Sequence, residues 1–278
     1  MSKIAEIVIK AFKEMLEKGL SDLVDIFVDF ISSIVLNYDG LAGTAMKTYN
    51  IFIWLSGLLL VVLCLVEIIK MLLSEADSSQ EANVWAIIVN TIRSGFMLVL
   101  APFIISITMT VVKALTEVFF DDMGETLKNN ISNFLNSSSS LEIHQRGVGT
   151  IILFLFVIIV LGAFIIKMIV EQAQILMLEI LSPLVAVSII NENTSYVNEW
   201  GKDLLSHAVT IVVLALSMAL FIEATGAFTD GEILGFISVL GTGALVIKGP
   251  SLIQSIRYKS GVGRAGQSAM RMAFLKRR

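Results

Sequence analysis

The chain has 278 residues, of which 56% are hydrophobic and 16% charged, and its mean hydropathy is +0.84. Soluble globular domains run near ~45–50% apolar and ~25% charged, so this balance excludes a soluble protein. The apolar excess is gathered in blocks: Lys47 and Glu67 bracket 19 charge-free residues, Arg93 and Lys113 another 19, Arg146 and Lys167 20, and Asp203 and Glu223 19. Each block matches the ~20 residues that a helix needs to cross a ~30 Å hydrocarbon layer. A membrane β-barrel would show shorter, alternating strands. The expected fold class is all-α: a polytopic membrane protein with five or six transmembrane helices, an N-terminal amphipathic helix and a basic cytoplasmic tail.

The formal net charge is −4, yet all 24 acidic residues precede Lys248, and eight of the 20 basic residues lie from Lys248 onward. The tail is therefore a separate basic element beside the membrane. The single cysteine, Cys64, lies in the first apolar block and allows no intramolecular disulfide. The opening residues mix Lys with Glu and lack a continuous apolar run, so no cleavable signal peptide is expected.

In chain order, residues 1–35 show apolar residues at i, i+3, i+4 spacing (Ile4, Ile7, Val8, Ala11, Phe12, Met15), the pattern of an amphipathic helix. Such a helix lies in the headgroup region, packs on a partner, or packs on the same domain. Asn37-Tyr38-Asp39-Gly40 signals a turn. Span one is expected over about Tyr49–Leu73, and span two over about Val84–Ala114, with a kink at Pro102. Residues 117–145 form the longest polar stretch, expected as a mobile loop with some helix around Thr126–Leu135. Span three starts near Gly147. The apolar region continues to Ile190 through Lys167, Glu171, Gln172, Gln174 and Glu179. At ~1.5 Å per residue it is too long for one crossing. It either doubles back as two spans or continues into an amphipathic arm over 168–190 that Pro183 bends. Spans Leu204–Ile222 and Ile233–Ile247 complete the set. The last is rich in glycine (Gly235, Gly241, Gly243), which allows close helix approach and offers a smooth face for a homo-oligomer. The expected divisions are an amphipathic region over 1–45, a transmembrane domain over 46–250 and the tail over 251–278.

Basic residues near spans favour the cytoplasmic side, which places the acid-free tail inside. Six spans would put 17 basic residues on that side and three outside, whereas five spans would split them 12 to 8.

No catalytic constellation is visible. The two histidines, His144 and His207, are far apart, and no HExxH or GxxxxGK[ST] pattern occurs. Gly261-Val262-Gly263 with Gly266 follows a membrane helix rather than a strand, so it is not read as a dinucleotide site. No enzyme activity, metal or cofactor is expected. Ionisable residues inside spans need an explanation. Glu67 with Lys70, and Lys167 with Glu171, read as helix-end pairs with snorkelling stems. Arg93 reads as an interfacial anchor and His207 as a satisfied polar group. Glu179 has no cation within four residues, which makes it the candidate for a lumen-facing group. Trp54, Trp85 and Trp200 sit near span boundaries, where belt aromatics are expected.

Leu181-Ser182-Pro183-Leu184-Val185-Ala186, a polar gap, and Tyr196-Val197-Asn198-Glu199-Trp200-Gly201-Lys202-Asp203 place a Pro-Leu step, a short loop and a Trp that opens the next span. Lys248-Gly249-Pro250-Ser251-Leu252, followed by Gly261 and Gly263, closes the last span. Together these resemble the TrbL family, the polytopic inner-membrane subunit of type IV secretion and conjugation machines. The resemblance covers roughly 145–265 in character and the whole chain in layout, although the loop over 115–146 is shorter than in larger members. It implies a non-enzymatic channel or platform subunit that forms a homo-oligomeric ring in the cytoplasmic membrane. It also implies association with a secretion ATPase and other inner-membrane channel subunits, with single-stranded DNA or protein in transit. Five spans and an external N-terminus are what the resemblance implies. Pro183, Trp200, Gly249 and Pro250 are then the structural candidates. The basic tail is suited to anionic lipid or to nucleic acid, and a topology signal alone would also explain it. The alternative is a stand-alone transporter, or a permease subunit for ions or small molecules.

Overall fold

A computed structural model describes residues 42–76, 84–120, 123–137, 143–190, 196–227 and 233–259, with 24–30 and a few positions beside that segment. The turn at 37–40, the polar residues 191–195 and the chain beyond 259 lie outside the described residues. Every described element is helical, and no strand occurs among them. The elements are α1 (Gly43–Ala76), α2 (Val84–Phe120), α3 (Met123–Ser137), α4 (Ile143–Val187), a single 3-10 turn (Ser188–Ile190), α5 (Val197–Ala227) and α6 (Ile233–Lys259).

Four helices contain stretches long and apolar enough to cross a membrane: Gly43–Leu73 in α1, a stretch beginning at Trp85 in α2, one beginning at Leu155 in α4, and Val197–Gly226 in α5. α6 contributes a shorter apolar stretch, Gly235–Gly249. These helices leave few hydroxyls to solvate. Thr48, Thr91, Thr108, Thr110, Thr210, Ser217 and Thr242 each donate to the carbonyl four residues earlier, at 2.7–2.9 Å. Such back-bonding keeps a hydroxyl satisfied where no water is at hand.

The core lies between α2, α4 and α5. α2 turns Ala101, Ile105, Met109 and Val112 inward, and α5 contributes Leu204, Ala208, Ile211, Leu214, Met218, Phe221 and Ile222. α4 adds Val157, Val160, Phe164, Met168 and Ile175. The i, i+3, i+4 spacing of these residues gives each helix one buried stripe. Burial is uneven. Half of the apolar stretch of α5 is buried, against 6% of that of α1. α1 is therefore a peripheral helix whose buried residues include Tyr49 and Ser56.

α4 has 45 residues and runs from Ile143 to Val187 without reversal, with Pro183 inside it. The doubling-back expected as one alternative for 148–190 does not occur. The region 117–145 was expected as a mobile loop with some helix, but it holds the 15-residue α3. α3 is docked: Met123 and Leu127 are buried, and the Asn130 amide donates to the Ile222 carbonyl of α5 at 3.0 Å. The segment 24–30 packs on the same domain. Its Phe27 ring lies 5.6 Å from that of Phe164, and its Asp25 pairs with Lys128 of α3.

Candidate functional site, a polar seam along the longest helix

The second half of α4 carries polar groups on an apolar helix, and the fold brings α1, α2, α5 and α6 to meet them. The seam begins at Lys167, whose ammonium crosses to α6, donating to the Val246 carbonyl at 3.0 Å and also to that of Ile247. One turn later Glu171 is 6% exposed, and its Oε2 lies 2.7 Å from His207 Nδ1 on α5. Lys167 and Glu171 still interact electrostatically along the helix. The expected i, i+4 surface pair is thus corrected: each residue has its principal partner on another helix. His207 is a satisfied polar group, as expected, and a buried carboxylate is what satisfies it.

Glu179 and Ser182 follow, both buried. The Tyr49 hydroxyl of α1 lies beside Ser182 and within electrostatic reach of Glu179. Within one chain, α1 encloses Glu179.

Pro183 lacks an amide hydrogen, so the helix offers no donor to the carbonyl of Glu179, four residues earlier. The Ser182 hydroxyl donates there instead, at 2.8 Å. Beside it, the Leu178 carbonyl accepts the indole N–H of Trp200 at 3.0 Å. Trp200, expected as a belt aromatic, packs inward on α4 near the start of α5. Trp54 and Trp85 are 70% and 72% exposed, whereas Trp200 is 5% exposed and ties α5 to the turn of α4 before Pro183. The helix end is closed in the same manner. Ser94 of α2 donates to the Ala186 carbonyl at 2.8 Å, and Ser188 donates to that of Val185 at 2.6 Å. Ser188 in turn accepts the Tyr196 amide at 3.0 Å. The carbonyl freed by the proline is thus answered by Ser182 of α4 itself, and those at the helix terminus by Ser94 of α2 and Ser188 of the 3-10 turn, the condition for irregular helix at membrane depth.

α6 meets the seam along Gly235, Val239, Gly243, Val246 and Gly249, which are buried at spacings of three and four. A Cβ on Gly243 would lie 2.6 Å from the Phe156 ring, so the missing side chain is what admits α4. Gly241 faces open space. A Cβ on Gly249 would approach only the Ser217 hydroxyl, at 3.9 Å. Position 250 lies within α6. The remaining expected groups sit simply: Lys70 pairs with Glu67 at 2.7 Å on an exposed face, and Arg93 is exposed on α2.

The Glu171–His207 pair, the Lys167 contact, the two serine caps from Ser94 and Ser188, and Asn130 of α3 were not legible beforehand. Their partners lie 36 to 92 residues apart, or depend on where a helix ends. A weak signal existed in the coexistence of prolines with lone polar residues in apolar helices.

The arrangement is that of a multi-pass helical membrane protein, with polar side chains committed to helix-to-helix contacts. No group of three or more His, Cys, Asp or Glu side chains able to hold a metal occurs among the described residues. The family described as conjugal transfer protein TrbL matches residues 1–277, and the chain belongs to that family. It is thereby a component of a conjugal transfer, type IV secretion system. No curated protein and no solved structure matches it.

Proposed function

We propose that the chain is a channel or platform subunit of a conjugative transfer machine and helps DNA or protein cross the cytoplasmic membrane. The observation that carries this reading is the family match, which runs over residues 1–277. The seam supports it, because its polar groups bind helices to one another around Pro183. In this reading the chain crosses five times, α4 continuing past its crossing as an arm, with the N-terminus outside and the basic tail in the cytoplasm. The absence of a reversal in α4 supports five crossings over six. Subunits assemble into a homo-oligomer with a secretion ATPase and other channel subunits, and the tail meets anionic lipid or DNA in transit. Glu179, enclosed by α1 in one chain, lines the opening in this reading only where α1 moves off it as subunits meet. The chain does no catalysis of its own.

The test is deletion of the gene from a transfer-competent cell, with donor-to-recipient transfer frequency as the readout. Loss of transfer, restored by the full chain in trans, is expected. Undiminished transfer overturns the reading. One observation favours the stand-alone transporter: Glu171 and His207 form a buried ionisable pair inside an apolar bundle, as ion pathways do. That reading requires solute or ion flux through liposomes holding this chain alone.

A further inference from the structure

Residue 250 is a proline within α6, so the helix has no amide hydrogen there to offer the Val246 carbonyl, four residues earlier. Val246 is fully buried. An unanswered carbonyl in such surroundings is costly, because neither water nor helix can pair it. Lys167 reaches this carbonyl from α4 at 3.0 Å and the next one as well. An ammonium with three donors can serve two carbonyls at once. Glu171, one turn on, acts electrostatically on this half-buried ammonium and is itself held by His207 of α5. Three helices therefore converge on one break.

We propose that Lys167 is the donor α6 lacks. It acts as a latch that closes the Pro250 break, ties α6 to α4, and fixes the direction in which the chain leaves the bundle. The role is one of positioning. Glu171 and His207 hold the latch by stabilising its charge, and Gly243 brings α6 near enough for the lysine to reach. The exit direction matters because seven basic residues and no acidic one follow Pro250. The latch sets where that charge is delivered, whatever the cargo of the machine.

The test uses the full chain in lipid nanodiscs, in a Cys64→Ser background, with spin labels at Gln174 and Gln254. A narrow distance distribution is expected for the parent. Lys167→Met should broaden or shift it, and Lys167→Arg, which keeps cationic donors, should not. Adding Pro250→Ala to Lys167→Met restores a backbone N–H and should restore the narrow distribution. In SDS titration, Lys167→Met should lower the folded-to-unfolded ratio roughly tenfold with Pro250 present, the order expected for one orphaned buried carbonyl, and under about threefold with Pro250→Ala. An equal loss in both backgrounds would make the lysine merely the counter-ion of Glu171 and overturn the latch. If Lys167→Met does not accumulate, recovery of the double variant supports the proposal, and failure of both overturns it.

Discussion

Replacing Gly243 by alanine tests whether α6 is a packing helix within one subunit. The new methyl group would stand 2.6 Å from two atoms of the Phe156 ring and 3.1 Å from Val160 Cγ2. The ring cannot simply swing away, because it packs edge-on against Phe221 with centroids 6.2 Å apart. Either the ring or α6 must move, and overpacking of this kind costs ~1–3 kcal/mol. Against it stands the ~0.5–1 kcal/mol by which alanine outdoes glycine in a helix interior. The net expectation is a loss of up to about 2 kcal/mol. Gly241→Ala provides the control, since its methyl group meets nothing within 4 Å and only the propensity gain remains. At roughly 2–4 °C per kcal/mol, the two variants should melt several degrees apart. Intrinsic fluorescence of the protein in lipid nanodiscs measures this, and Phe156→Leu added to Gly243→Ala should recover part of the loss. Equal melting of the two glycine variants would refute the packing argument and return Gly243 to a contact between subunits.

Other outcomes follow from the seam and from the family. Ser182→Ala should cost ~1–3 kcal/mol by orphaning the Glu179 carbonyl, and most of that should vanish when Pro183→Ala supplies the missing N–H, as read by thermal melting. Trp200→Phe keeps a ring but loses the bond to Leu178, and should cost about 1 kcal/mol. Trp200→Ala should lower transfer frequency while membrane fractionation still finds the chain inserted. A fluorescent protein fused after Arg278 should be bright and an alkaline phosphatase there inactive; the reverse result sinks the cytoplasmic tail. Mass photometry in native lipid discs should find a multiple of the 30.4 kDa chain, and a single monomeric species across concentrations would defeat the ring.

The helices themselves were readable from charge spacing, because a membrane tolerates only long apolar runs with every backbone group paired internally. The hydrogen-bonding demand at Pro183 and Trp200 was also readable, since a proline in a helix must leave a carbonyl open and an indole N–H must find an acceptor. Which carbonyl the indole would take was not, nor that Lys167 would reach across to the carbonyls of α6. Both depend on how the helices cross, and an i, i+4 pairing looks complete from spacing alone. Whether 148–190 reversed was equally open, because its apolar and polar residues suit an arm as well as a hairpin. The backbone continues as one helix through Lys167–Glu179. The deepest ambiguity concerned α1 and α5. Both are apolar enough to cross a membrane, yet 6% of one stretch and 50% of the other is buried. Hydropathy cannot separate them, because lipid tails are as apolar as a protein core and reward the same side chains. Only the packing of complementary shapes and polar contacts decides which helix lies at the centre and which faces lipid.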